Sequence, residues 1–146
     1  MPPSPPPQDG ATGPFDLSET PIHLGLQNGT ESSAVPLRGF TFDGPSFEKY
    51  IAEQCPEGAC GRLIMVETTP TSWPVWECHT EGDEIVIVLE GAGEFIHETD
   101  GGERRTAVAA GSTLINPKGV WHTADVTSAL KAVYITPIPG TEHRPR

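Results

Sequence analysis

The sequence is poor in basic residues and has no long apolar run. Nine lysines and arginines are outnumbered by twenty aspartates and glutamates, which gives a formal net charge of −11. A surface this acidic repels a phosphate backbone, so we expect no nucleic-acid partner. No stretch approaches the roughly 18 apolar residues of a membrane span, and the basic and apolar regions of a secretory signal are missing. We therefore expect a cytoplasmic protein with no membrane partner.

Cysteine is also scarce. Cys55 and Cys60 are too far apart for a CxxC redox or zinc pair, and Cys78 lies much further along the chain. An odd number of cysteines without paired spacing does not indicate a disulfide framework, so a reducing compartment is expected.

At 146 residues the chain has the length of a single domain with one core. The N-terminal residues are mostly proline, glycine and small polar types, a composition that does not form a packed core by itself. Four segments are predicted: a flexible arm (1–14), an extension packing on the main domain (15–60), a β-barrel domain (61–140) and a C-terminal tail (141–146).

One short helix is predicted at residues 44–54. Phe47, Tyr50 and Ile51 recur there at helical spacing, and Ser46 is positioned to cap the first turn. These three apolar side chains are expected to pack on the rest of the molecule.

The remainder of the chain has the pattern of β-structure. Short segments rich in β-branched and apolar residues alternate with turn residues at intervals of about ten residues. Turns are predicted at Gly91–Gly93 and at Asp100–Gly102. The pattern favours an all-β antiparallel sandwich or barrel. The predicted strands are 62–69, 84–91, 93–100, 104–111, 112–119 and 129–137.

The strand at 84–91 begins with a carboxylate. Because alternate residues of a strand face opposite sides, Val86 and Val88 share the face of Glu84, while isoleucine and leucine occupy the other face. Both faces are therefore predicted to be buried. A carboxylate at the start of such a strand is costly unless it has a partner, and a cation would provide one.

Three further side chains are expected near Glu84. In an extended strand, Glu77 and His79 project to the same face, and the polar segment that follows can turn the chain so that Glu84 joins them. His122 begins another strand after a turn at Pro117–Gly119. If that strand reaches the same end of the barrel, His79, Glu84 and His122 form a facial set that leaves open positions on a metal ion. Glu77 is a candidate fourth ligand.

Together these segments resemble the two motifs of the cupin family. The first is Glu77-x-His79-x4-Glu84-x6-Gly91, and the second is Gly111-x5-Pro117-x-Gly119-x2-His122. The resemblance covers about residues 60–137 and is closest to small, single-domain bacterial cupins. It implies a double-stranded β-helix, a conical barrel with a metal ion in its mouth. The matching ligand positions are His79, Glu84 and His122.

The sequence departs from the family pattern at three positions. Glu77 stands where the first histidine is usual, Thr71 lies near the usual glycine, and Val126 replaces the closing asparagine. Glu77 is a candidate for three roles: metal ligand, a group that orients His79, or a catalytic general base.

The functional prediction is a metal-dependent enzyme acting on a small organic molecule. The resemblance favours a dioxygenase or an isomerase or cyclase that uses a divalent Fe, Mn, Ni or Zn ion. The alternatives are a non-catalytic module that senses a small ligand or metal, and a barrel without metal. A homodimer is also expected, with segment 20–44 adding a strand across a subunit edge.

Other aromatic and histidine residues receive structural predictions. Trp73, Trp76 and Trp121 flank the motifs and either shape a pocket or pack at the rim. His97 shares a strand face with Phe95 and is a candidate cavity-lining residue, although an exposed or core-satisfied histidine is favoured. His23 and His143 are predicted to have no functional role.

Overall fold

The computed structural model describes residues 12–27, 31–56 and 61–146. Residues 1–11 of the predicted arm and Cys60 lie outside these ranges. The all-β prediction with one short helix is confirmed. The elements are β1 (Ile22–Gln27), β2 (Glu31–Pro36), α1 (Pro45–Gln54), β3 (Arg62–Thr69), β4 (Val75–His79), β5 (Glu84–Thr99), β6 (Gly102–Ala109), β7 (Thr113–Asn116), β8 (His122–Thr136) and β9 (Thr141–Pro145).

Strands β5 and β8 are long antiparallel partners that pass through both layers of the barrel. The second half of β8 pairs with β3 and with the first half of β5, which also pairs with β7. The first residues of β8 pair with β4 and with the end of β5, which also pairs with β6. One layer is therefore β2-β1-β3-β8-β5-β7 and the other is β9-β4-β8-β5-β6, with β5 and β8 common to both.

The inward-facing side chains of the two layers form one hydrophobic core. Helix α1 lies against this core, since Tyr50 is buried in it while Phe47 and Ile51 pack at its margin. That helical face is as predicted. The buried strand residues of the core are Leu63, Met65, Val86, Val88, Phe95, Val108, Leu114, Ala124, Leu130, Ala132 and Tyr134.

The cap of α1 differs from the prediction. Gly44 occupies the N-cap position, and no side chain caps the helix. The Ser46 hydroxyl instead donates a hydrogen bond to the Thr41 carbonyl oxygen and accepts one from the Thr41 backbone N–H. In the part of the chain that the structure describes, no helix has the length and apolar character of a membrane span.

The prediction that β5 is buried on both faces is wrong. Glu84, Val86 and Val88 are at most 2% exposed, but Ile85 and Leu89 on the opposite face are 37% and 44% exposed. The register places isoleucines side by side across this outer face, in the order Ile115, Ile85, Ile135, Ile64. We call these four residues the outer isoleucine row. Within the described chain, no second layer covers the outer isoleucine row at Ile85 or Ile115. The Ile115 side chain is 57% exposed.

The predicted turn at Gly91–Gly93 is also wrong. β5 runs through it as one strand, with shifts in its register against β8 between Val88 and Gly93. Such irregularities bend a strand and let it pass from one layer to the other. The turn at Asp100–Gly101, in contrast, is confirmed as the hairpin between β5 and β6.

The predicted C-terminal tail contains a strand. β9 pairs with β4 from Val75↔Pro145 to His79↔Thr141. The apolar alternation used to predict strands does not reveal β9, because its residues are polar and it ends at a proline.

Candidate metal centre

Three strands bring Glu77, His79, Glu84 and His122 together at one end of the barrel. Glu77 and His122 are directly paired residues of β4 and β8, and His79 lies two residues along the same face of β4. Glu84 is the first residue of β5. One nitrogen or oxygen from each of the four side chains lies within 4.8 Å of the others. All four candidate residues of the sequence therefore belong to one compact cluster.

Two hydrogen bonds from backbone N–H groups connect the turn after β7 to the segment between β4 and β5. The N–H of Gly119 donates to the His79 carbonyl oxygen at 2.9 Å. The N–H of Lys118 donates to the Asp83 carboxylate at 2.7 Å. The turn after β7 thus fixes the loop between β4 and β5, which sets the separation of His79 from Glu84.

The two imidazole rings direct their Nε2 atoms at the carboxylates. His79 Nε2 lies 3.0 Å from Glu77 Oε1 and 3.2 Å from Glu84 Oε2. His122 Nε2 lies 3.5 Å from Glu77 Oε1 and 3.6 Å from Glu84 Oε1. Neither Nε2 atom makes a hydrogen bond within the described residues, although both are buried. Buried nitrogens without hydrogen bonds are rare, and here they converge with carboxylate oxygens as metal ligands do.

Hydrogen bonds at the other ring nitrogen favour the tautomers that metal binding needs. Thr141 donates its hydroxyl hydrogen to the Ile138 carbonyl oxygen at 2.8 Å, so it accepts a hydrogen bond from His79 Nδ1–H at 3.0 Å. His122 Nδ1–H points to the Val120 carbonyl oxygen at 3.4 Å. In the neutral rings both Nε2 lone pairs then face the cluster, as ligation requires.

Glu84 is held by donors on both oxygens. Asn116 donates its amide to Oε1 at 2.8 Å, and the Thr136 hydroxyl donates to Oε2 at 2.6 Å. His97 Nε2–H donates in turn to the Asn116 amide oxygen at 2.8 Å, which fixes the orientation of that amide. Hydrogen bonds of this kind fix the direction in which a ligating carboxylate points.

Without a metal ion, the His79 imidazole in the cluster binds a proton. Burial acts most strongly on His79 and favours its neutral form, but the adjacent carboxylates of Glu77 and Glu84 outweigh it and raise the pKa of His79 to about 9. Burial also opposes ionisation of Glu77, yet the adjacent imidazoles of His122 and His79 hold the pKa of Glu77 well below its usual range. A cation bound at His79 Nε2 displaces that proton.

His143, which is predicted to have no functional role, lies beside the cluster. It extends from β9, and its Nε2 lies 2.8 Å from Glu77 Oε2. Glu77 therefore directs one oxygen at His79 and His122 and the other at His143. It is also the most exposed of the four cluster residues, at 21% compared with at most 2% for the others. His23, in contrast, is buried away from this site in contact with Tyr50.

A cavity of about 840 Å³ opens onto the cluster. Its walls are mostly apolar and come from α1, β3, β8 and the segments around β4. Glu77, His79 and Glu84 lie on its surface. The main wall residues are Phe42, Phe47, Ile51, Met65, Trp73, Tyr134 and Ile138.

The three tryptophans have different roles. Trp73 lines the cavity and packs edge-on against Phe95. Trp76 and Trp121 instead flank Arg144, whose guanidinium carbon lies 5.4 Å and 4.5 Å from their ring centroids. Trp73 therefore shapes the pocket, whereas Trp76 and Trp121 pack against Arg144.

The Thr141→Val variant tests the role assigned to the hydrogen bond at His79. It keeps the side-chain volume but removes the acceptor of His79 Nδ1–H, so we expect the affinity for Zn(II) to fall about 10–100-fold. Competition titration against a chelator measures this. Thr127→Val is the matched control, because its hydroxyl donates to the Ala92 carbonyl oxygen outside the cluster. Equal affinities of the two variants would contradict the role of Thr141.

The chain is similar to one protein family and to several solved structures. A family model described as "Cupin domain" matches residues 64–137, just over half of the chain. A search of the curated proteins finds no match.

Several solved structures are similar to part of the chain. A cupin-2 domain containing protein from Shewanella frigidimarina is 25% identical with a TM-score of 0.46, covering 52% of this chain and 70% of its own. A cupin superfamily protein from Desulfitobacterium hafniense is 16% identical with a TM-score of 0.45, covering 53% and 67%. Hydroxypropylphosphonic acid epoxidase from S. wedmorenis is 17% identical with a TM-score of 0.45, covering 51% of this chain and 43% of its own.

Proposed function

This chain belongs to the cupin family, and we propose that it is a metal-dependent enzyme acting on a small organic molecule. The observation that carries the proposal is the mostly apolar cavity lined by Glu77, His79 and Glu84, three members of a cluster in which two buried imidazole nitrogens converge on two carboxylates. A site of this form offers a reactive centre and room for a substrate together. We assign Glu77, His79, Glu84 and His122 as the metal ligands.

The donor set suits a divalent Fe, Mn, Ni or Zn ion, since it mixes imidazole nitrogen with carboxylate oxygen and contains no thiolate. Cys78 is the neighbour of Glu77 and His79 in β4, and strand alternation directs its side chain to the opposite face. When bound, the ion supplies Lewis-acid or oxygen-binding chemistry, which fits a dioxygenase or an isomerase or cyclase.

Glu77 is the candidate for proton transfer. Its Oε2 contacts His143 at the side of the cluster, and Glu77 is one of the cavity-lining residues. A carboxylate placed between buried ligands and a half-exposed histidine can pass a proton from substrate toward solvent. Glu77 would then serve both as a ligand through Oε1 and as a base through Oε2.

Turnover assays test the enzymatic proposal. Protein loaded separately with Fe(II), Mn(II), Ni(II) or Zn(II) would be incubated with diketones, catechols and enols, and followed by oxygen electrode and mass spectrometry. We expect turnover with at least one metal and its loss in His122→Ala. A metal-loaded protein that binds these compounds but leaves all of them unchanged would favour a non-catalytic sensing module.

We also propose that two copies pair through the outer isoleucine row. β1 and β2 lie in the segment predicted to add a strand to a partner, but they pair with each other and with β3 of their own chain. The isoleucine row carries no charge, whereas the chain has a net charge of −11. Two copies can meet there without bringing carboxylates together, which makes the surface self-complementary about a two-fold axis.

Light scattering after size exclusion tests this pairing. We expect a mass of twice the 15.6 kDa chain, and half that mass for Ile115→Glu. Thr99→Glu, at the far end of β5, is the control and should leave the dimer intact. A wild-type monomer at micromolar concentration would overturn the proposal. The proposal would also be overturned if deletion of residues 1–11 changed the mass and Ile115→Glu did not.

A further inference from the structure

The cavity has acidic groups but no basic side chain from lysine or arginine. Glu67 of β3 lines it together with Glu77 and Glu84, while no lysine or arginine of the described chain does. The residues outside the described ranges cannot supply one, because the sequence has neither lysine nor arginine at positions 1–11, 28–30 or 57–60.

The histidines of the cavity are already engaged with carboxylates. His79 lies between Glu77 and Glu84, and His143 contacts the second oxygen of Glu77. Neither ring is therefore available as a separate counter-charge for an anionic ligand. The whole chain, at −11, also repels an approaching anion.

Glu77 stands where the cupin pattern has a histidine, and this difference changes the net charge of the site when it holds a metal ion. Two carboxylates neutralise a divalent ion, whereas a histidine at position 77 would leave the centre with one net positive charge. With Glu77 and Glu84 as ligands, the centre attracts an anionic substrate less, and Glu67 adds a further carboxyl group to the cavity lining.

The cavity also contains a buried phenol hydroxyl. Tyr134 is 4% exposed, and its hydroxyl makes no hydrogen bond within the described residues. Tyr134 lines the cavity close to Trp73, with ring centroids 6.4 Å apart. A buried phenol can donate to a neutral oxygen or accept from an ammonium group, so the wall contains both an apolar surface and an orienting polar atom.

We infer that this cavity takes an apolar molecule that is uncharged or carries an amine, and that it rejects the corresponding carboxylates, phosphates and phosphonates. Trp73, Phe42 and Phe47 would contact the apolar body, and Tyr134 and Glu67 would contact its polar group. The inference rests on the proposed function, because it treats the cavity as the substrate site.

A matched series of probes tests the inference on metal-free and Zn(II)-loaded protein. The probes are 2-phenylethanol, 2-phenylethylamine and phenylacetate, which share one ring and differ in charge, and binding is measured by calorimetry. We expect the alcohol and the amine to bind and phenylacetate to bind at least about tenfold more weakly in both forms. Binding of phenylacetate as tight as that of the alcohol in the metal-free protein would overturn the inference, as would failure of all three probes to bind.

Two variants at Glu67 test whether this residue causes the selection of the amine over the carboxylate. We expect Glu67→Gln to lower the affinity for the amine relative to the alcohol, and Glu67→Lys to reverse the order of amine and carboxylate. The circular dichroism spectrum and the Tm of each variant monitor folding, because Glu67 itself would contact the polar group of the probes. An unchanged order of the three probes in Glu67→Lys would contradict the assignment. Because the metal-free arm does not depend on the ion, a failure of metal binding is distinguishable from a failure of this inference.

Discussion

His122→Ala and His79→Ala are each expected to weaken binding of Zn(II) or Co(II) by about 10²–10³-fold. Structural sites with four ligands bind Zn²⁺ with apparent free energies of ~10–16 kcal/mol, so each ligand contributes ~2.5–4 kcal/mol. Both rings are buried with Nε2 directed at the carboxylates, and no other described nitrogen replaces them in the cluster. Calorimetric or competition titration at fixed pH measures the change.

His97→Ala is the histidine control for these two variants. His97 reaches the cluster only through Asn116, so we expect its removal to weaken metal binding by no more than about tenfold. A loss in His97→Ala as large as that in His122→Ala would show that unfolding, and not ligand removal, causes the effect. Unchanged affinity in both His79→Ala and His122→Ala would contradict the ligand assignment.

Gly91→Ala is expected to destabilise the fold by about 4 kcal/mol or more. Gly91 has φ +86°, and a Cβ there would collide with the backbone carbonyls of Ser128 and Ala129 on β8. Neither carbonyl can move without disturbing the pairing of β5 with β8 at the point where both strands pass between layers. Urea unfolding of the purified variant measures the loss of stability.

Gly111→Ala separates the collision from the cost of the backbone conformation. Gly111 has a similar φ of +92°, but a Cβ there meets no atom within 4 Å. The unfavourable φ alone costs about 1–2 kcal/mol. Equal destabilisation in the two variants would contradict the account of Gly91 as a point of close strand contact.

Much of the candidate site follows from local sequence rules. Alternation along β4 places Glu77 and His79 on one face, and the start of β5 places Glu84 where a carboxylate needs a partner. Glu84 needs that partner although the outer face of β5 is exposed, because Glu84 itself lies on the buried inner face. The second motif places His122 at the start of a strand, and the pairing of β8 with β4 brings it opposite Glu77.

The supporting residues could not be predicted in the same way. Thr141 and His143 lie in β9, whose short polar sequence has no apolar alternation, so only its pairing with β4 brings them to the site. Asn116 faces Glu84 through the register of β5 and β7, which the sequence of either strand alone does not fix. Long-range register, and not residue type, decides these contacts.

Metal stoichiometry tests the central claim most directly. Purified protein would be stripped with a chelator, reconstituted separately with Fe(II), Mn(II), Ni(II) and Zn(II), desalted and measured by elemental analysis. We expect one ion per chain with at least one of these metals and none in the His79→Ala/His122→Ala double variant. A wild-type protein that retains no stoichiometric metal, or a double variant that retains as much as the wild type, would contradict the assignment of this cluster as a metal centre.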